Sequence, residues 1–310
     1  MEHGLTFYFD WEVSLMEFLQ SGMGNTGVTV AGMITKLGEE MILIAMLGFI
    51  YWCYDKEIGR KLGLNIVIGV VLNPLIKNVL LRRRPYFDNP GIKCLKPVNS
   101  KADIYDIAAQ GYSFPSGHSM NSAIVFGSVA YYIRKNWITV LGVLLPLMVG
   151  ITRFLLGVHY PTDVLVGWIC GVFVVFLIPV LSEKVKNRYV LYIVVFTVSA
   201  IGLFYCRTND YFTGLGIMLG FFLSEPFEKK YVNFENTRNV PCCILRMLGG
   251  FAVYFILNTL FKLPFNREFL ESATTAAFIV RFFRYAIVTF FVIGVYPIAF
   301  RFEKRVVKNS

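Results

Sequence analysis

Apolar runs of about twenty residues, separated by short basic loops, constrain this chain more than any other feature. A hydrocarbon core about 30 Å thick takes roughly 20 helical residues, slightly fewer where charged flanks snorkel. Nine stretches fit that ruler, centred on residues 40–54, 62–81, 118–133, 137–156, 163–181, 189–206, 211–224, 241–261 and 276–300, the first and seventh being short. With 56% hydrophobic and 16% charged residues among 310, and a mean hydropathy of +0.58, a soluble domain is excluded. The expected fold is therefore an all-α, polytopic membrane helical bundle. Residues 1–39 mix Phe, Trp, Leu and Met with Asp10, Glu12 and Glu17, which suits an interfacial segment better than a span. No basic stretch followed by an apolar core marks a signal peptide in the first 30 residues.

The net charge of +10 does not point to nucleic acid, because the basic residues are spread along loops rather than clustered on one element. They read as topology determinants. Alternate short loops hold Lys56, Arg60 and Lys61; Arg134 and Lys135; Lys184, Lys186 and Arg188; and Lys229, Lys230 and Arg238. The stretch 301–310 adds Arg301, Lys304, Arg305 and Lys308 as a basic tail. The positive-inside rule puts these on the cytoplasmic side, against the opposing pull of Arg82, Arg83 and Arg84. Five spans within 40–181 form one domain, and about four C-terminal spans within 189–300 form another. The six cysteines fall mostly in apolar runs with no CxxC spacing, so neither zinc nor a disulfide framework is indicated. Cys94 and Cys206 would pair only if both faced an oxidising side. No internal repeat relates the two halves.

Three stretches at the edges of apolar runs carry the chemistry: Lys77–Pro85 (KNVLLRRRP), Phe114–Ser119 (FPSGHS) and Thr152–Asp163 (TRFLLGVHYPTD). Two of the chain's three histidines lie in them. Lys77 and Arg84 are two helical turns apart, so a continuous helix would show both on one face, ended by Pro85. Taken alone, the arginine cluster is an ordinary helix-end anchor, but a lysine inside an apolar run is costly without an anionic partner. Ser116 is a plausible N-cap for the run after Gly117, and the free N–H groups of that helix would cradle an anion beside His118. An ordinary capped helix with a hydrogen-bonded histidine explains the hexapeptide equally well. Asp163, four residues after His159, would accept from one imidazole nitrogen and leave the other as a nucleophile. Arg153 would fork onto phosphate oxygens. A structural His–Asp pair at a helix start is the plainer explanation of that stretch by itself.

Together, Lys-x6-Arg-Pro, then Pro-Ser-Gly-His, then Arg-x5-His-x3-Asp resemble the signature of the type 2 phosphatidic acid phosphatase and vanadium haloperoxidase superfamily. The resemblance covers roughly residues 40–181. It departs at Thr152, where the family usually has serine, so a hydroxyl is kept. The resemblance implies that His159 is the nucleophile forming a phosphohistidine, oriented by Asp163, and that His118 protonates the leaving oxygen. Lys77, Arg84, Arg153, Ser116 and Gly117 would hold the phosphoryl oxygens, with no metal and no other cofactor. Charge in phosphoryl transfer spreads over the equatorial oxygens, so fixed cations suit that chemistry. The implied protein is an integral membrane phosphatase, in a bacterial plasma membrane with the site facing outward, whose partners are the bilayer and a membrane lipid phosphate or pyrophosphate. The nine-span outline is also similar to the glucose-6-phosphatase branch, which leaves a sugar phosphate open as substrate. Phosphotransfer to a lipid or glycan acceptor is a same-fold alternative. A lipid transporter with a vestigial site is the non-enzyme alternative, against which stands the presence of every expected catalytic side chain. The paired glycines Gly167 with Gly171 and Gly216 with Gly220 read as helix-packing seams.

Overall fold

The computed structural model describes residues 4–302. The distal part of the basic tail, with Lys304, Arg305 and Lys308, lies outside the described residues. The described residues form fourteen α-helices: α1 (Asp10–Ser21), α2 (Asn25–Ile34), α3 (Glu40–Phe49), α4 (Lys56–Leu80), α5 (Pro85–Asp88), α6 (Ile107–Gln110), α7 (Gly117–Ile133), α8 (Asn136–Leu155), α9 (Pro161–Lys184), α10 (Arg188–Ala200), α11 (Asn209–Phe227), α12 (Val240–Leu260), α13 (Arg267–Glu271) and α14 (Thr275–Phe290). There is no β-sheet among the described residues; one isolated bridge pairs Leu5 with Arg82.

Each of the nine apolar stretches is helical, but five helices are long and apolar enough to cross a membrane: 56–80, 136–155, 161–184, 240–260 and 275–302, among the described residues. Glu40–Tyr54 and Arg188–Phe204 are shorter apolar helices. The protein is an integral membrane protein built of helices.

The chain divides into two compact units that interleave along the sequence. One takes in the residues up to Leu43 with Leu72–Ile178; the other takes in Ile44–Val71 and everything from Pro179 onward. In the first unit, α9 lies closely along α7. A Cβ on Gly167 would stand 2.8 Å from the Ser116 carbonyl, and one on Gly171 would stand 2.7 Å from the Ala123 Cβ. Glycine at these positions therefore sets the approach of the two helices. The turn from α8 to α9 also needs a glycine: Gly157 has φ +77°, and a Cβ there would fall 2.1 Å from the Lys93 carbonyl.

In the second unit, α11 and α14 meet along the other glycine seam. A Cβ on Gly216 would stand 2.4 Å from the Phe282 carbonyl, and one on Gly220 would stand 2.3 Å from that of Ala286. Two buried glutamates of this unit are paired: Glu228 takes Arg60 and Lys56, and Glu225 takes Arg188 and the Tyr192 hydroxyl. All six cysteines are free thiols.

Candidate active site

The three motif stretches all fall in the first unit. Lys77 occupies the last turn of α4, as the spacing predicts, but Arg84 does not share its helix. The helix ends at Leu80, Leu81 turns into the left-handed region at φ +48°, and Arg84 caps α5 with an extended backbone. The expectation of one continuous helical face is thus corrected. The residue before a proline is driven out of the α region, and the break lets each arginine of the cluster find separate acceptors.

Arg84 is 3% exposed. Its Nε donates to the carbonyls of Gln110 and Gly111 at 3.0 Å each, and one Nη donates to the Val158 carbonyl at 2.8 Å. The same Nη lies 3.5 Å from His159 Nε2. Arg84 thereby ties the α6 loop to the segment carrying the histidine. That loop is organised by Gln110, whose Oε1 accepts from the backbone of Val98 and Asn99 and whose Nε2 donates to the Asn99 and Asp103 carbonyls.

His159 is 2% exposed. Its Nδ1 lies 3.4 Å from Asp163 Oδ2, yet the pair is not aligned for a hydrogen bond and Nδ1 is buried without a partner. Burial, followed by the positive charges of Arg84, Arg153 and Lys77 and then by His118, holds the His159 pKa well below the ordinary imidazole value. Both effects favour the neutral ring over the imidazolium.

Asp163 is secured by other groups. Its Oδ2 accepts the Tyr160 backbone N–H at 2.8 Å, and its Oδ1 accepts from Arg82 at 2.7 Å. Arg82, at 1% exposure, continues through its other Nη to Glu12 at 2.8 Å, donates to Thr162 Oγ1 and the Phe7 carbonyl, and stacks 4.0 Å from the Tyr160 ring. Glu12 is fully buried and also accepts the Thr162 N–H, the Thr162 hydroxyl and the Phe9 N–H. The glutamate that reads as an interfacial polar residue is thus an internal anion, joined through one arginine to the carboxylate beside His159. Arg82 and Glu12 are the residues that sequence reasoning missed. A run of three arginines does not reveal which of them is buried, and Glu12 lies 70 residues from Arg82.

The Ser116 hydroxyl caps α7, accepting from the Ser119 N–H and the Ser119 hydroxyl, while its backbone N–H bonds the Asp163 carbonyl at 3.0 Å. Gly117 and His118 open the helix, where first-turn N–H groups have no acceptor within it. Asn73 on α4 donates to the Pro115 carbonyl at 3.2 Å and locates this turn. His118 lies in the field of Arg153, Lys77, Lys96 and Arg84. Lys96 is also new at the site; it pairs with Glu39 at 3.0 Å. Arg153, 3% exposed, gives one Nη to Thr35 Oγ1 at 2.8 Å and leaves Nε buried without a partner. The Thr152 hydroxyl donates to the Val149 carbonyl at 2.6 Å, so it serves the helix. Among the described residues no three His, Cys, Asp or Glu side chains group as metal ligands.

Two imidazoles, His118 and His159, thus lie in the field of the same three cations, Lys77, Arg84 and Arg153, and one of the imidazoles stands at a helix start. The family model described as the PAP2 superfamily matches residues 59–187, and the one described as the transmembrane extension of PAP2 superfamily phosphatases matches residues 212–305. Phosphatidylglycerophosphatase B of Bacillus subtilis (strain 168) is 32% identical over 173 residues, which are 52% of this chain and 75% of that protein. An undecaprenyl-diphosphatase of Sulfolobus acidocaldarius is 30% identical over 147 residues, 46% of this chain and 65% of its own. The crystal structure of a transmembrane PAP2-type phosphatidylglycerolphosphate phosphatase from Bacillus subtilis aligns with a TM-score of 0.44 and 26% sequence identity, over 58% of this chain and 90% of that one.

Proposed function

The chain belongs to the PAP2 superfamily and is a membrane phosphatase, and from that premise we propose that it hydrolyses a lipid phosphate or diphosphate through a phosphohistidine on His159. The observation that carries this reading is the buried His159 with its Nε2 beside the Arg84 guanidinium and its Nδ1 toward Asp163. Nε2 attacks phosphorus as the bond from phosphorus to the leaving oxygen breaks, and His118 gives that oxygen a proton. In the second step His118, now neutral, takes a proton from water as the water oxygen attacks phosphorus. The P–N bond breaks, inorganic phosphate leaves and His159 is restored. Lys77, Arg84 and Arg153 hold the equatorial oxygens, with the Arg153 Nε–H, the Ser116 hydroxyl and the N–H groups of Gly117 and His118 as further donors.

Asp163 supports the positive charge that His159 gains when it is phosphorylated. Glu12 and Arg82 act as positioning residues: the arginine bridges two carboxylates and fixes the Asp163 side chain, so that the oxygen facing Nδ1 keeps its place. A lipid substrate is supported by the relatives, which are named for lipid phosphates, and by a site built at the ends of membrane helices, where a tail remains in lipid while the phosphate enters. An outer-leaflet location is supported by the basic residues of the opposite loops.

The test is phosphate release from phosphatidylglycerol phosphate, undecaprenyl diphosphate, phosphatidate and glucose 6-phosphate, with excess EDTA and then orthovanadate. The expected result is hydrolysis of lipid substrates that survives the chelator and is blocked by vanadate, whose five-coordinate geometry mimics attacked phosphorus. Activity lost in EDTA and restored by magnesium would overturn the mechanism. Hydrolysis of glucose 6-phosphate alone would overturn the lipid assignment.

A further inference from the structure

The second unit holds positive charge that its own groups leave short of partners. α14 carries Arg281 and Arg284 three residues apart, hence on one face. Arg284 is 4% exposed; its guanidinium lies 4.9 Å over the Tyr285 ring, and its Nε is buried with no hydrogen-bond partner among the described residues. Arg281, half-buried, gives an Nη hydrogen to the Leu270 carbonyl at 3.1 Å. Lys262, exposed in the turn after α12, senses both charges: partial burial first, then Arg284 and Arg281, hold its pKa below the ordinary lysine value. Asp210, at the start of α11, is the carboxylate that acts on Arg281. Three cations thus lie within electrostatic reach of one another, with a carboxylate acting on the middle one, and they descend from an exposed lysine through a half-buried arginine to a buried one.

Depth and direction follow from helix geometry. Side chains lean toward the N-terminus of their helix, so both arginines lean toward Thr275 and the 261–274 connection, where the Leu270 carbonyl receives Arg281. With its continuation, α14 runs 28 residues, longer than a hydrocarbon core of about 30 Å requires. Arg281 and Arg284 lie roughly 9 and 14 Å below Thr275 by the helical rise, within reach of the headgroup level. An arginine held at that depth is costly unless an anion partners it, and its planar fork matches two oxygens of a phosphate.

We propose that Arg284, Arg281 and Lys262 form a second phosphate site, which takes the headgroup phosphate of an anionic membrane phospholipid. The buried Arg284 fork meets the phosphate oxygens, Arg281 flanks them, and Lys262 meets the headgroup from the aqueous side. The hydrolytic residues take no part, and the site stands whether or not the reading of the reaction holds.

The test uses the full chain in a neutral detergent. Thermal unfolding is followed with added phosphatidylglycerol, with phosphatidylcholine and with inorganic phosphate, and bound lipid is counted by native mass spectrometry. Phosphatidylglycerol is expected to raise the midpoint by several degrees and to be retained, while the zwitterionic lipid and free phosphate do neither. Arg284→Gln should lose both effects. Because a buried arginine also contributes to folding, Lys262→Gln provides the second variant: it lies on the surface and should weaken retention while hydrolysis of a soluble aryl phosphate stays at the wild-type rate. Undiminished gain and retention in both variants, or an equal gain from inorganic phosphate, would overturn the proposal.

Discussion

Asp163 is shared between two claims: one oxygen faces His159 and the other is bound to Arg82. The arginine has the stronger hold at rest, so the carboxylate is fixed before the histidine needs it. Two consequences are measurable. His159→Ala should remove turnover of every substrate, whereas His118→Ala should cost about 10² to 10⁴-fold on a lipid phosphate and far less on an aryl phosphate with a good leaving group; equal losses on both substrates would remove His118 from the acid role. Arg82→Met should leave Glu12 and Asp163 buried and unpaired, a destabilisation of about 3 to 5 kcal/mol, read as a fall in thermal midpoint. The pH profile tests the electrostatics. A nucleophilic imidazole must be neutral, and His159 has its pKa lowered, so its proton is lost at a lower pH than in a free histidine and activity is lost only as pH falls through that lowered value. Lys77→Gln removes one of the cations responsible and should move the acid limb of kcat/KM upward, toward the ordinary value of about 6.5. Taking the ratio to wild type at each pH cancels the substrate's own titration. At this scale the sequence singled out His118, His159 and Arg153 by residue type and spacing, and the fold brings their segments into one unit where Arg153 acts on the charge of both histidines. It was not legible for Glu12 or Arg82, because an ion pair across 70 residues leaves no local pattern.

Among the elements, a long apolar run reliably announces a helix, and all nine runs are helical. Where a helix stops is harder to read. The run through Lys77 continues in hydrophobicity to Leu81, yet the backbone turns there, and the proline after Arg84 governs the local path more than the charge spacing does. The glycine pairs were legible as seams because nothing but hydrogen fits where backbones approach so closely. What they position was not legible. Gly167 lies under the Ser116 carbonyl, so the α7–α9 seam carries the capped turn of the second motif against the helix bearing Asp163. Gly167→Val should push these apart and reduce kcat/KM on lipid substrate by more than an order of magnitude, with a stability cost of about 1 to 3 kcal/mol. Gly171→Val, farther from the turn on the same seam, should cost similar stability with a smaller loss of activity. Rates and thermal midpoints of the two variants separate packing from positioning.

At the level of the whole molecule, the chain pairs a motif-bearing stretch with a C-terminal half that carries none of the motifs, and both halves belong to one family pattern. The orientation proposed above makes a concrete expectation. A cysteine at Ser100 should react with an impermeant maleimide on intact cells, and one at Asn187 should react only after permeabilisation, both measured in a background lacking the six native thiols. The opposite pattern would put the site on the cytoplasmic side. The first helix adds an ordering in time. During synthesis Glu12 leaves the ribosome long before Arg82, its ionic partner, and longer still before Asp163, so the chain that runs from α1 through the arginine to the third motif is completed only when Asp163 has been made. A chain clipped past Glu12 loses the carboxylate that steadies Arg82 from the side opposite Asp163, however many of its helices have already formed.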